Sequence, residues 1–279
     1  MAILIIGATG NIGKNLVNTL LESRQQLLLG VRNPAKARAA WKFRASYIHF
    51  DFNEPETFEP ALSQVERCFF IAPHDDPVGS VEVFLQHARH LKQLTFSSGR
   101  TTGGVEGKPL HAIEQRIWES FIPATILRPG WFMQNFTGWI GDDIREERKI
   151  VLPAGDSKTA FIDVRDVAEA AALTLIHGGH TGHTYELVSD QAFDHYQVAD
   201  MISRAIGETV AYQPMAPLDY IRRMMKKGWT RDVAEHTVEL YQLVMQGREE
   251  KTSPDVEQIL ERPPRRLADF IQEHKKAFR

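Results

Sequence analysis

The amino-terminal thirteen residues constrain this chain more than any other stretch. An apolar run, Ala2-Ile3-Leu4-Ile5-Ile6, passes directly into Gly7-Ala8-Thr9-Gly10-Asn11-Ile12-Gly13, and a helix-forming segment follows. Gly7 permits a tight turn, Gly10 lets a ligand approach the backbone, and Gly13 lets the helix lie close on the strand. Asn11 reads as the cap of that helix, whose first turn presents backbone N–H groups without partners. Those groups and the helix dipole both favour an anion, and the pyrophosphate of a dinucleotide is the anion this motif holds. The spacing is Gly-x-x-Gly-x-x-Gly rather than the better known Gly-x-Gly-x-x-Gly, so the strand before it and the helix after it carry the reading.

Short apolar runs alternate with helical stretches after the turn. Strands are expected at Ala2–Ile6, Gln26–Val31, Ser46–Phe50, Arg67–Ile71, Gln93–Ser97 and Ala124–Leu127. Helices are expected at Asn11–Glu22, Pro34–Trp41, Thr57–Leu62, Val78–His90 and Leu110–Ser120. Such alternation implies right-handed crossovers and a doubly wound parallel sheet of α/β class, covered on both faces. Beyond Pro129-Gly130 the pattern loosens. Ile150–Leu152 is a short apolar run, Ala160–Val164 reads as a strand, Arg165–Leu175 as a helix and Thr184–Val188 as another strand; from Asp194 onward the chain is mostly helical. The expected division is a discontinuous Rossmann domain, 1–135 and about 159–188, interleaved with a smaller helical domain, about 136–158 and 189–279.

With 279 residues, 43% of them hydrophobic, the chain is long enough for this arrangement. A formal net charge of −3 gives no sign of a general affinity for nucleic acid or an anionic membrane. The single cysteine, Cys68, lies in an apolar strand and reads as a packed thiol in a reducing compartment. No stretch approaches the roughly 20 apolar residues of a membrane helix, and the opening run is too short for a signal peptide, so the expectation is a cytoplasmic protein.

The end of the second strand chooses between cofactors. An acidic residue there would hold the ribose 2′-hydroxyl of NAD, but the sequence has Val31-Arg32-Asn33-Pro34. Arg32 suits a 2′-phosphate instead, and Lys36 adds charge one turn into the next helix, which favours NADPH over NADH. Asp51, after the third strand, is placed either to reach the adenine or to start a helix.

Three segments together resemble a known family. They are Ile5-Ile6-Gly7-Ala8-Thr9-Gly10-Asn11-Ile12-Gly13, Val31-Arg32-Asn33-Pro34, and Ala124 to Asn135, which includes Arg128-Pro129-Gly130-Trp131-Phe132-Met133-Gln134. They are similar to the NmrA-like group of atypical short-chain dehydrogenases/reductases, nearest its quinone oxidoreductase and triphenylmethane reductase types. Phe161 to Ala168, Thr252 to Val256 and Arg262-Pro263-Pro264 extend the likeness along the chain. The resemblance implies NADP(H) on the sheet's carboxyl edge and a small domain forming one wall of the substrate cleft. It places Gly7, Thr9, Gly10, Asn11 and Ile12 at the phosphates and Arg32 at the 2′-phosphate. Ile71, Ala72 and Pro73 would line the ribose side, with Ser97, Ser98, Pro129 and Gly130 near the nicotinamide. A homodimer is compatible with it.

The departures narrow the chemistry. None of the tyrosines at 47, 185, 196, 212, 220 and 241 is followed four residues later by lysine, so the superfamily's usual Tyr-x-x-x-Lys pair is missing. Some relatives place a lysine where this chain has His111, three residues before Glu114. Hydride transfer needs orientation more than a strong acid, and a conjugated acceptor spreads the incoming charge. His111 reads either as a proton donor or as a residue starting its helix, and Glu114 as a structural anchor. Trp131, Phe132, Met133 and Phe136 are candidates for stacking on a small aromatic or quinone-like substrate, with Trp229 and Tyr241 weaker candidates. His177, His180 and His183 lack a carboxylate or cysteine to complete a metal set, and no metal is expected. The run Arg222-Arg223-Met224-Met225-Lys226-Lys227 reads as a solvated helix face. Two functions remain open at this point: an NADPH-dependent reductase of quinones or similar acceptors, and an NADP(H)-binding redox sensor acting through a partner protein.

Overall fold

The opening apolar run forms β1 (Ala2–Ile6), whose Ile3 to Ile6 are buried, and α1 (Asn11–Glu22) follows the glycine turn. The computed structural model describes residues 2–279. In chain order come β2 (Leu27–Val31), α2 (Pro34–Trp41), β3 (Ser46–His49), α3 (Phe58–Leu62), β4 (Val65–Ile71) and α4 (Pro77–His87). Then follow β5 (Gln93–Ser97), α5 (Arg100–Gly103), α6 (Pro109–Glu119), β6 (Ala124–Pro129), α7 (Trp139–Glu147) and β7 (Lys149–Leu152). The remainder is α8 (Val164–Ile176), β8 (Thr184–Leu187), α9 (His195–Ile206), β9 (Ala211–Pro214), α10 (Pro217–Lys226), α11 (Arg231–Met245), α12 (Asp255–Leu260) and α13 (Leu267–Glu273).

Contacts divide the chain into two units. The first is 1–129, 164–187 and 255–262; the second is 130–163, 188–254 and 263–279. In the first, seven strands form one sheet in the order β3-β2-β1-β4-β5-β6-β8, every pair parallel. The order reverses between β1 and β4, and the crevice outside the carboxyl ends of those two strands is where such sheets take ligands. Helices cover both faces. On one face α1 lies along α8; α1 buries Ile12, Leu16, Val17 and Leu20, and α8 buries several small residues, Ala168, Ala170, Ala171 and Ala172. The other face holds a phenylalanine cluster, in which Phe70 stacks on Phe96 at 4.7 Å and Phe50 on Phe58 at 5.2 Å. Arg262 ties α12 to α8 through Asp166, at 2.7 Å, and Glu169.

The second unit has its own core, built from Met133, Phe136, Ile140, Ile144, Tyr220, Tyr241 and Phe270 among others. Its strands β7 and β9 pair in parallel. Arg223 of α10 and Lys227, the residue just past its end, reach the buried carboxylate of Asp143 in α7, and Arg223 also binds Glu147 at 2.5 Å. The basic run is therefore not merely a solvated face: two of its cations neutralise a carboxylate that burial would otherwise penalise.

Two local expectations need correction. Ala160–Val164 is not a strand: Ile162 bridges Phe132 while Thr159 bridges Phe193, so no ladder extends beyond one pair. Asn11 does not cap α1. Gly10 is the cap residue, with φ −78° and ψ 178°, because the Gly10 N–H already turns back to the Gly7 carbonyl at 3.0 Å. Asn11 thereby becomes the first helical residue. Among the described residues, no helix is long and apolar enough to cross a membrane.

Candidate cofactor and acceptor site

The glycine turn stands at the carboxyl end of β1, at the reversal of strand order. Gly7 has φ +87°, a conformation that side chains other than glycine resist. A Cβ on Gly13 would lie 2.1 Å from the Gly7 carbonyl oxygen and 2.8 Å from Cα of Ala8. Only a glycine lets α1 start that close to the turn, and the start of α1 aims the N–H groups of Asn11, Ile12 and Gly13 outward from the strand. Thr9 is exposed beside them. From the other side of the reversal, the Ile71 side chain stands 3.5 Å from where a Cβ on Gly7 would lie, so the end of β4 borders the same turn.

Arg32 follows β2 on the same sheet edge, exposed and, among the described residues, in no salt bridge. Asn33 caps α2 by accepting from the Lys36 N–H at 2.9 Å, and Pro34 occupies the first helical position. The chain is thus held rigidly on both sides of Arg32, while the Lys36 side chain projects from the exposed face of α2. Asp51 turns inward on its own loop, accepting from the Asn53 N–H at 3.0 Å, and starts no helix.

At the carboxyl ends of β5 and β6 a buried network takes shape. Ser98 donates to Oε1 of Glu114 at 2.5 Å, and Arg128 binds both carboxylate oxygens. Gly103 lies against this group: a Cβ there would be 2.3 Å from Oε1 of Glu114. The Gly103 carbonyl accepts from Nδ1 of His111 at 3.0 Å. A carbonyl can only accept, so that ring nitrogen carries the hydrogen and Nε2 is the open position of the neutral imidazole. Ser97 is buried, and the Ser98 hydroxyl is engaged by Glu114. Sequence reasoning missed the roles of Arg128 and Gly103: the expected strand stopped at Leu127, whereas β6 runs on to Pro129 and takes the arginine in, where a partner is needed.

The expected acceptor residues divide. Met133 and Phe136 are fully buried in the core of the second unit and have no surface for a substrate. Trp131 and Phe132 keep partial exposure, and Trp131 lies 4.6 Å from the Tyr241 ring. Trp229 packs edge-on against Trp139. Gly130 has no room for a side chain, since a Cβ would stand 2.8 Å from Val188. The three loop histidines are not gathered into a metal set: His180 meets the Tyr185 hydroxyl at 3.0 Å and His183 stacks on the Tyr185 ring. Among the described residues no group of three potential ligands is assembled.

Residues 105–271 match the model of the NmrA-like family, and residues 7–96 match an NAD(P)H-binding model. The chain belongs to the NmrA-like family. Its first unit is an NAD(P)-binding Rossmann fold. The NAD(P)H azoreductase of Xenophilus azovorans is 30% identical to this family member over 285 residues, covering 99% of each chain. A triphenylmethane reductase from a Citrobacter species, solved with NADP(H), aligns at TM-score 0.87 and 27% identity over 98% of this chain and 99% of its own. An NADPH-dependent quinone oxidoreductase from Escherichia coli, solved with NADPH, aligns at TM-score 0.88 and 25% identity over 97% and 99% of the two chains.

Proposed function

We propose that this protein is an NADPH-dependent reductase that passes a hydride to a quinone or a similar conjugated acceptor. The observation that carries the proposal is the unpaired Arg32 on the glycine-turn edge, where a carboxylate would favour NADH. The turn and the start of α1 take the pyrophosphate, and Arg32, with Lys36 nearby, takes the 2′-phosphate. The reduced nicotinamide supplies the hydride.

What the chain adds is orientation and a proton. A hydride carries two electrons to a quinone and leaves a hydroquinone anion, which needs one proton. His111 donates that proton from Nε2 in its imidazolium form, Nδ1 being held by the Gly103 carbonyl, and is reprotonated from water. A conjugated acceptor tolerates the missing Tyr-Lys pair because its charge is delocalised before protonation. Trp131 and Phe132 offer the partly exposed aromatic surface on which a flat acceptor stacks. The names of the azoreductase, dye reductase and quinone reductase relatives, all acting on conjugated molecules, support this substrate class.

The test is to mix the purified protein with NADPH and a panel of simple quinones, following loss of the reduced nicotinamide absorbance. The expected result is NADPH consumption matched by hydroquinone. Cofactor binding with no oxidation above background overturns the enzyme reading.

A further inference from the structure

Because every strand of the first unit is parallel, all amino ends lie on one sheet edge, opposite the glycine turn. Six loops enter the strands there: 23–26, 42–45, 63–64, 88–92, 120–123 and 177–183. They hold Arg24, Lys42, Arg44, Arg89 and Lys92, four histidines, and no aspartate or glutamate. The net charge of −3 averages this asymmetry away. Around β2 and β3 it is strongest. From Ser23 to Phe50 the chain carries six lysines and arginines and no acid, and among the described residues none of the six is in a salt bridge.

Phe43 sits in the middle of this charge. It is 96% exposed, between Lys42 and Arg44, at the sheet's outer strand β3. The turn that projects it is fixed: Lys42 has φ +49°, and its carbonyl accepts from the Tyr47 hydroxyl at 2.9 Å. Arg38 lies over the Tyr47 ring at 5.3 Å, and a shallow recess of about 310 Å³ runs along Arg38, Lys42, Phe43, Ser46 and Tyr47. Protecting an edge strand from aggregation accounts for cations beside β3, but not for a fully exposed phenylalanine among them.

We propose that this patch docks the protein on an anionic membrane surface. Phe43 enters the boundary between headgroups and acyl chains, and Arg24, Arg38, Lys42 and Arg44 meet the lipid phosphates. A bilayer presents an anionic layer above an apolar one, the order in which a protruding phenylalanine ringed by cations would meet them. A protein partner would need a preformed apolar pocket at Phe43, and the long, flexible lysine and arginine side chains around it, in no salt bridge among the described residues, impose no fixed geometry on an acidic peptide. Docking uses the edge opposite the cofactor turn, so it is independent of the reductase reading.

Co-sedimentation of the whole protein with phosphatidylcholine vesicles, with and without phosphatidylglycerol, tests the proposal. Binding should rise about tenfold or more with the anionic lipid and vanish at high salt. The double variant K42E/R44E should lose it, and F43A should weaken it about tenfold. NADPH affinity should be unchanged in both variants, which shows that they fold. Phe121 is the control: it is 92% exposed on the same sheet edge, but its loop, 120–123, carries no charge. F121A should bind within about twofold of the parent protein. Equal binding to both vesicle types, no binding to either, or an F121A loss as large as that of F43A overturns the proposal. So does binding only to an oligonucleotide or an acidic protein under the same conditions.

Discussion

Arg128 grips Glu114 at two points: Nε is 3.0 Å from Oε1, and Nη2 is 2.5 Å from Oε2. Glu114 is 1% exposed, and its hydrogen bond holds the arginine's pKa above the ordinary value. Removing Glu114 leaves the Arg128 guanidinium, only 21% exposed, charged and without its carboxylate. E114A should therefore cost about 3–5 kcal/mol, read from the denaturant midpoint. The E114A/R128A double variant should lose less than the sum of the two single losses, and strict additivity would show that the pair is not coupled. Because Glu114 holds Ser98 and also Arg128, which reaches the Gly103 carbonyl at 3.5 Å, E114Q should lower the turnover that depends on His111 more than it weakens NADPH binding.

Gly13 makes a second strong prediction. A methyl group there would collide with the Gly7 carbonyl, so G13A must push α1 away from the turn. The cost should be at least about 1–3 kcal/mol of stability, with a clear loss of NADPH affinity by titration calorimetry. An unchanged dissociation constant in a folded G13A protein would remove the turn from the cofactor site.

Arg32 tests the choice of cofactor separately. A charge-assisted contact to the 2′-phosphate is worth enough for R32D to weaken NADPH binding by about tenfold to hundredfold. NADH, which lacks that phosphate, should lose far less. Equal losses for the two nucleotides would mean that Arg32 serves the fold or the general field of the site instead.

The first unit was legible because each buried strand is a short apolar run and each long helix has an apolar stripe. Helix α1 spans Asn11–Glu22 as its periodicity indicates, since Ile12, Leu16, Val17 and Leu20 form its buried stripe. Helices α5 and α7 were not legible. Arg100–Gly103 is a single turn, and Trp139–Glu147 buries Asp143, which looks like a surface residue until Arg223 and Lys227 are seen beside it. The glycine turn was readable because it is local, whereas the pairing of Trp131 with Tyr241 joins residues far apart in sequence. The roles of Met133 and Phe136 failed to separate from those of Trp131 and Phe132 for a similar reason. All four are apolar, and only the packing of the second unit decides which stay exposed.

Cys68 should be chemically silent in the folded protein. It lies fully buried in β4, and burial pushes its thiol well above the usual range, so almost no thiolate forms. A thiol reagent should label it only at the rate of unfolding, and the C68A variant should retain its NADPH affinity. Rapid labelling under native conditions would contradict the packing of β4.

His195 gives the second unit a dependence on pH. The imidazole is buried among Phe136, Phe161, Tyr212 and Tyr241, with ring centres 5.2–6.5 Å away. Burial lowers its pKa to about 4, against a smaller upward pull from the Asp194 carboxylate. In the unfolded chain the pKa is about 6.5. Above that pH the side chain is neutral in both states and nothing is lost. As pH falls from about 6.5 towards about 4, the unfolded chain takes up a proton that the folded one refuses, and stability declines by up to about 3 kcal/mol. Unfolding free energies from denaturant titrations near pH 7 and near pH 5 should therefore differ by roughly 2 kcal/mol more in the parent protein than in H195F. The same difference in both proteins would show that other groups carry the acid sensitivity.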